Sequence, residues 1–262
     1  MNKYLKLIEF IKKYKNCGVM FSGGTDSFFL LSAAIDAIGK DNVTAITLKT
    51  PFVSKSEIET AVSGAKMLNA KHIIIGFDIL NDDNVVVNDT ERCYYCKKAI
   101  LGYAISKLDE LKLEVLFDGT NKSDEGDYRP GMKALFEFGV ISPLKQVGFE
   151  KSEIMDELKS RGFKKMARSA DACLATRIKT GQKITKEKLN KIEKAEEYIK
   201  SFGVKLVRVR TIDDNAVIEL LKEDIENFKK EHLGEALIKL KKIGYKNVSL
   251  SKEGYKRGSM QS

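Results

Sequence analysis

The hexapeptide Ser22-Gly23-Gly24-Thr25-Asp26-Ser27 constrains this chain more than any other feature. It joins the short apolar run Gly18-Val19-Met20-Phe21 to the apolar stretch Phe28-Phe29-Leu30-Leu31-Ser32-Ala33-Ala34-Ile35. An apolar run that ends in paired glycines and reopens as a second, longer apolar run reads as a buried strand turning sharply into a helix. Glycines let such a turn point its backbone N–H groups inward as a nest for phosphate oxygens, and the helix adds the positive end of its dipole. Ser22 and Ser27 supply hydroxyl donors. Asp26 cannot attract phosphate itself, so its expected role is to hold Mg²⁺ against a nucleotide. The lysine of the G-x-x-x-x-G-K-[ST] loop is missing, which excludes a Walker-type phosphate site.

Around this turn the chain alternates. Leu5, Ile8 and Ile11 show helical spacing across 3–14, and strands are expected at 18–21, 43–48, 72–77 and 115–117. Helices are expected at 55–68 and 96–111, between those strands. Strands alternating with helices predict a parallel, doubly wound α/β sheet, whose ligands sit beyond the carboxyl ends of the strands. Past residue 180 the pattern changes to a long charged helix at 185–201, paired strands at 205–210 and 216–221, two short helices and a strand at 247–250. The expected organisation is therefore a phosphate-loop domain over 1–180 and a smaller α+β domain over 181–262.

SGGxDS after a strand resembles the loop of the PP-loop ATP pyrophosphatases, which share an adenine nucleotide α-hydrolase-like fold and split ATP between its α and β phosphates. That resemblance implies an ATP·Mg²⁺ site built on Ser22, Gly23, Gly24, Thr25, Asp26 and Ser27. It also implies an adenine carried by the backbone of the second strand, near Thr47 and Leu48. Splitting ATP at the α phosphate suits activation of an acid: an oxygen joined to AMP leaves as a phosphate, and a sulfur nucleophile can then attack.

Further segments extend the likeness: ERCYYCK (91–97), FDGTNKSDEGDYRPGMKALFEFGVISPL (117–144), ARSADACLATRI (167–178), LVRVR (206–210) and GYKRGSM (254–260). With SGGTDS they resemble the LarE family of ATP-dependent sulfur transferases over nearly the whole length. The resemblance implies a nucleotide-like carboxylic acid as substrate, in that family pyridinium-3,5-biscarboxylic acid mononucleotide, whose sulfur insertion builds the nickel-pincer cofactor. It implies homo-oligomers as well. Gly119, next to Asp118 after the fourth expected strand, falls on the ligand edge of the sheet. Asp124, Asp127 and Arg129 crowd a turn-rich loop, either as site residues or as Asx caps of a surface turn. Arg208 and Arg210 stand two apart on a strand and so share a face, suiting a substrate phosphate or an ordinary surface pair. Arg177 and Glu196 match family site positions, with Glu197 as the competing match for Glu196.

Cys93 and Cys96 form a C-x-x-C pair, and Cys173 lies far along the chain. Many LarE-like proteins have only the cysteine equivalent to Cys173, which gives up its own sulfur. Here the added pair implies a different chemistry, since three thiolates match a [4Fe-4S] cluster that leaves one iron for exogenous hydrosulfide. Structural zinc and a sacrificial Cys173 beside a redox-active pair are the alternatives. Cys17 opens the first strand, on the order of 15 Å from the loop at ~3.3 Å per residue, and reads as a buried apolar residue.

Composition narrows the remaining choices. A fraction of 43% apolar and 32% charged residues is that of a globular protein, and no apolar run approaches the ~18 residues that span a bilayer. The expected location is the cytoplasm, with no membrane partner and with thiols kept reduced. The net charge of +9 leaves tRNA thiolation open as a second reading, although lysines alternate with acids as on a solvated helix face. The two histidines, His72 and His232, stand apart, so a Ser-His-Asp triad or a histidine metal site is poorly supported. A sulfide donor is required in either reading.

Overall fold

A computed structural model of the chain describes residues 2–126, 131–167, 172–256 and 260. By their internal contacts they form two units, Met1–Ile79 with Cys93–Asp171, and Leu80–Arg92 with Ala172–Ser262.

The first unit is built on a parallel sheet of β1 (Cys17–Met20), β2 (Val43–Lys49), β3 (Lys71–Gly76) and β4 (Leu116–Phe117), in the order β3-β2-β1-β4. Cys17 pairs with Val43 and Met20 with Ile46, so β1 is central and its carboxyl end delivers the chain to Ser22. Successive strand residues divide between two cores, as the two-residue period of a strand demands. Val19, Ala45 and Phe117 pack with α1 (Lys3–Ile11) and α2 (Thr25–Ile38), whereas Ile46, Leu48 and Leu116 pack with Leu101 and Ala104 of α4 (Arg92–Ile105). The third helix, α3 (Lys55–Met67), starts with a capping box in which Ser54 and Glu57 satisfy each other's backbone N–H. α2 buries Phe28, Phe29, Leu30 and Leu31 completely, because a helix apolar on all sides has no face to offer water. The carboxyl-edge topology expected from the alternating pattern is present.

Two local readings of the first unit need correction. Leu5 is 53% exposed, and the buried stripe of α1 is Leu7, Ile8 and Ile11, with Tyr4 packed beside it. The helix expected at 96–111 begins earlier and breaks. It runs over Arg92–Ile105 and resumes as Leu108–Leu111. Asp89 starts it early, its side chain accepting the Glu91 N–H at 2.9 Å and its carbonyl accepting the Arg92 N–H at 3.3 Å. Both Cys93 and Cys96 are therefore helical, one turn apart on one side.

The second unit carries the sheet β5 (Val207–Ile212), β6 (Asn215–Leu220) and β7 (Asn247–Leu250), in that order, with β5 and β6 antiparallel and β6 and β7 parallel. The β5–β6 hairpin is tighter than the spacing suggested. Its strands continue to a two-residue turn, Asp213-Asp214, where Asp213 takes φ +52°, a conformation aspartate tolerates. The helices α5 (Lys186–Lys200), α6 (Lys222–Glu231) and α7 (Leu233–Ile243) cover the face made by Val207, Val209, Ala216, Ile218 and Leu220. The segment 80–92 is held in this unit by Asn88, whose buried side-chain amide donates to Lys179 O at 2.9 Å and Gln182 O at 3.0 Å. No helix among the described residues is long and apolar enough to cross a membrane.

Candidate functional site

In the first unit the loop after β1 brings its polar groups to the carboxyl edge of the sheet. Gly23 has φ +73°, and a Cβ there would lie 2.7 Å from the backbone of Ala61, so only glycine fits. Gly24 caps α2 in an extended conformation and offers its N–H to Ser22 Oγ at 3.3 Å. Ser27 Oγ donates to Gly24 O at 3.0 Å and lies 3.3 Å from Ser22 Oγ. Gly119 presses on the first turn of α2, where a Cβ would stand 3.0 Å from the Ser27 nitrogen. Thr25, buried, turns its hydroxyl away and donates to Met166 O at 2.8 Å, which anchors the loop.

Asp26 is the charged group of this loop. Its Oδ2 accepts from Lys151 Nζ at 2.6 Å, while its Oδ1 is shut off from solvent and has no hydrogen-bond partner among the described residues. Burial pushes its carboxyl above the ordinary value; Lys151 opposes that shift and the charge of Asp124 adds to it. A buried, unpartnered carboxylate oxygen at the mouth of a phosphate nest suits a hard cation such as Mg²⁺. Asp124 sits in a turn whose Asx residue is Asn121, with Asn121 Oδ1 accepting the Ser123 N–H at 2.9 Å, while Asp124 Oδ2 reaches back to accept the Asn121 N–H at 3.0 Å. Asp127 and Arg129 lie outside the described residues.

Beside the loop, residues 47–49 of β2 continue past the last β1 pairing and pair only with β3 among the strands. Leu48 is buried, and the Thr47 hydroxyl is used internally. It donates to Phe21 O at 2.6 Å and lies 2.7 Å from His72 Nε2. Burial holds the His72 pKa below its usual value, so the ring is neutral at pH 7. Asp118 is buried after β4, where burial raises its carboxyl but Lys97 at 2.9 Å and the Thr120 N–H outweigh it, leaving a net lowering. Cys93 is exposed and Cys96 half-buried, whereas Cys17 is fully buried at the far end of β1 with its thiol pushed up to about 12. Cys17 is thus the buried apolar residue expected, remote from the loop.

In the second unit three arginines form a buried layer, Arg208 and Arg210 on the β5 face turned away from Val207 and Val209, and Arg177 against Glu196 of the helix Lys186–Lys200. Arg177 forks onto Glu196, with Nε to Oε1 at 2.8 Å and Nη2 to Oε2 at 3.0 Å, and Glu196 Oε1 also accepts the Val209 N–H at 3.0 Å. The remaining Arg177 nitrogen, Nη1, donates to the Cys173 carbonyl at 2.9 Å, which pins the residue that caps the turn Leu174–Arg177. Arg208 and Arg210 do share one face of β5, over the ring of Tyr255 at 5.6 and 5.9 Å. Arg210 donates to Glu219 Oε2 at 2.8 Å and to Thr176 O at 2.9 Å. Arg177, Glu196, Arg208, Arg210 and Glu219 are each less than a tenth exposed. A surface pair is therefore the wrong picture for Arg208 and Arg210. Glu196 points inward and Glu197 outward, so Glu196 is the residue able to serve a site.

Sequence reasoning missed Lys151, Lys97 and Glu219. No local signal marks them, since each is one more charged residue in a charged stretch. Among the described residues, no three His, Cys, Asp or Glu side chains are grouped so as to hold a metal ion.

No family model matches the chain. It is 31% identical over 262 residues to the pyridinium-3,5-bisthiocarboxylic acid mononucleotide synthase of Lactiplantibacillus plantarum, covering 98% of this chain and 93% of that one. It is 32% identical over 260 residues to an uncharacterised protein of Synechocystis, covering 99% and 97%. An uncharacterised protein of Methanocaldococcus jannaschii is 31% identical over 259 residues, with 98% of each covered. Among solved structures, NMN synthetase from Francisella tularensis superposes with a TM-score of 0.51 at 17% identity, over 65% of this chain and 74% of that one. Glutamine-dependent NAD⁺ synthetase from Acinetobacter baumannii, solved with ADP, gives 0.51 at 20% identity, over 61% and 32%. At these identities the likeness is one of α/β fold. Full-length identity above 30% to the bisthiocarboxylic acid synthase, on the fold the loop called for, means that the chain belongs to the LarE family of ATP-dependent sulfur transferases.

Proposed function

We propose that this protein uses ATP to adenylate a carboxylate of a nucleotide-like acid, pyridinium-3,5-biscarboxylic acid mononucleotide, and exchanges one carboxylate oxygen for sulfur in nickel-pincer cofactor biosynthesis. Full-length likeness to a synthase named for the bisthiocarboxylic acid product supports this reading most. The carboxylate oxygen attacks the α phosphorus, and pyrophosphate leaves. Sulfide then attacks the acyl carbon, and AMP leaves with the oxygen.

The residues divide the work. Backbone N–H groups of 22–27 with Gly119, and the hydroxyls of Ser22 and Ser27, hold the phosphates. Asp26, with Asp124 beside it, holds Mg²⁺, which neutralises the triphosphate charge. The strand backbone at Thr47 and Leu48 carries the adenine. Arg208 and Arg210 hold the substrate phosphate through charge-assisted bonds, and Asp127 and Arg129 belong to the nucleotide-binding set. Arg177 and Glu196 fix the backbone carbonyl of Cys173 and so the direction of its thiol.

Cys93, Cys96 and Cys173 are the thiolate ligands of a [4Fe-4S] cluster in this reading. Their soft sulfur chemistry fits it, and two of them stand one turn apart on α4. When bound, the cluster supplies an open iron for exogenous hydrosulfide, drawn from a separate sulfide donor. The reading includes a cytoplasmic location and a homo-oligomer.

The test pairs pyrophosphate release with sulfur stoichiometry. The pyridinium acid, and not tRNA, is expected to trigger release; the reverse result makes the protein a tRNA thiolase. Anaerobic protein is expected to be brown, with about four irons per chain, and to lose colour when Cys93, Cys96 or Cys173 becomes alanine. With sulfide supplied, product exceeds one sulfur per chain and Cys173 keeps its mass. A Cys173 that loses the mass of H₂S instead overturns the cluster reading in favour of sacrifice.

A further inference from the structure

The two oxygens of Asp26 meet unlike surroundings. Oδ2 is 2.6 Å from Lys151 Nζ, and Oδ1 is sealed from solvent with no hydrogen-bond partner among the described residues. Folded proteins rarely leave a buried carboxylate oxygen unsatisfied without a use for it. Lys151 opens the helix Lys151–Ser160, and its backbone N–H is pinned to Ser123 Oγ at 3.0 Å. Its side chain is 30% exposed, so a fixed Cα carries a stem with room to move.

We infer that Lys151 is a stand-in cation: it occupies Asp26 in the nucleotide-free protein and yields the carboxylate to the divalent ion that arrives with ATP. This rests on the reading that ATP·Mg²⁺ binds at the loop. A lysine ammonium is a point charge on a flexible stem, so it can neutralise a carboxylate and then leave, where an arginine fork would stay. The exchange has two consequences. A divalent ion alone binds weakly, because it must first displace Lys151. With nucleotide present the displaced ammonium gains phosphate oxygens as partners, so metal and nucleotide assist each other's binding. Lys151 is in this sense a positioning residue, acting through Asp26.

The experiment titrates Mn²⁺ alone into the full chain and reads the free ion by electron paramagnetic resonance. Lys151→Met is expected to tighten Mn²⁺ binding about tenfold, the effect of removing one partly buried competing ion pair. Lys151→Arg is expected to bind no more tightly than the wild type. In an Asp26→Asn background, Lys151→Met is expected to change nothing. Mn²⁺ affinity that is unchanged, weakened or unmeasurable in Lys151→Met overturns the exchange. Tighter binding that persists in the Asp26→Asn background puts the ion elsewhere and overturns the role of Asp26 as well. Pyrophosphate release from ATP by the wild type tests the functional reading separately, because it can fail while the Mn²⁺ result stands.

Discussion

The phosphate loop and the arginine layer are both dense in polar groups, and they treat those groups in opposite ways. At the loop, charge is left incompletely matched. Asp26 has a sealed oxygen with no hydrogen-bond partner among the described residues, and glycines hold the backbone where side chains would fill the space. In the arginine layer, Arg177 and Arg210 are neutralised in place by Glu196 and Glu219, with backbone carbonyls taking further donors. A carboxylate oxygen left unspent beside a glycine turn suits a nucleotide that arrives with its cation. A buried guanidinium, by contrast, folds only if its charge is met from within. The difference teaches that the loop leaves a charged oxygen unspent, whereas the arginine layer meets its charges from within.

Breaking the arginine layer is the largest test. Glu196→Ala strands the Arg177 charge and the Val209 N–H, and it is expected to cost about 3–5 kcal/mol in denaturant unfolding. A loss below about 1 kcal/mol shows that water reaches the layer, and the contrast with the loop fails. Next comes Gly23→Ala, which meets the Ala61 backbone and forces a positive φ on alanine. It is expected to cost about 2 kcal/mol or more and to abolish nucleotide binding by calorimetry. Retained affinity means the tight turn does not shape the nest.

Two carboxylates of the first unit sharpen the comparison by opposite signs. Asp118 titrates below its ordinary value, so it adds stability above that value, and the contribution is lost as pH falls through its lower folded pKa. Asp118→Asn is expected to lower stability at pH 7 and to flatten the acid limb of stability against pH. An unchanged acid limb removes the Lys97 pair as a source of stability. Asp26 titrates above its ordinary value, so its charge opposes folding once pH rises past that value. Asp26→Asn is expected to be the smallest effect, a gain of about 0.5–1 kcal/mol at pH 7, together with loss of pyrophosphate release. A destabilised Asp26→Asn shows that the Lys151 pair outweighs burial.

Much of this was legible in the residues because it is local. The strand–loop–helix reading around 22–27, the parallel sheet, the placement of Arg208 and Arg210 on one strand face, and the apolar burial of Cys17 all follow from periods of two and 3.6 residues and from glycine chemistry. Boundaries were less legible. Asp89 started a helix before Cys93, and Asp213 tightened a hairpin, each through a side chain or φ choice that composition does not display.

By itself the sequence determined the α/β class, the loop that calls for phosphate, the family and the identity of the thiols. Tertiary structure alone decided that Lys151 meets Asp26, that Glu196 rather than Glu197 grips Arg177, that Glu219 answers Arg210, and that residues 80–92 join the C-terminal unit. The physical reason is range. Periodicity and turn propensity act among neighbours, whereas an ion pair between residues far apart in the chain exists only where packing of the sheet and its helices brings their side chains within a few ångströms.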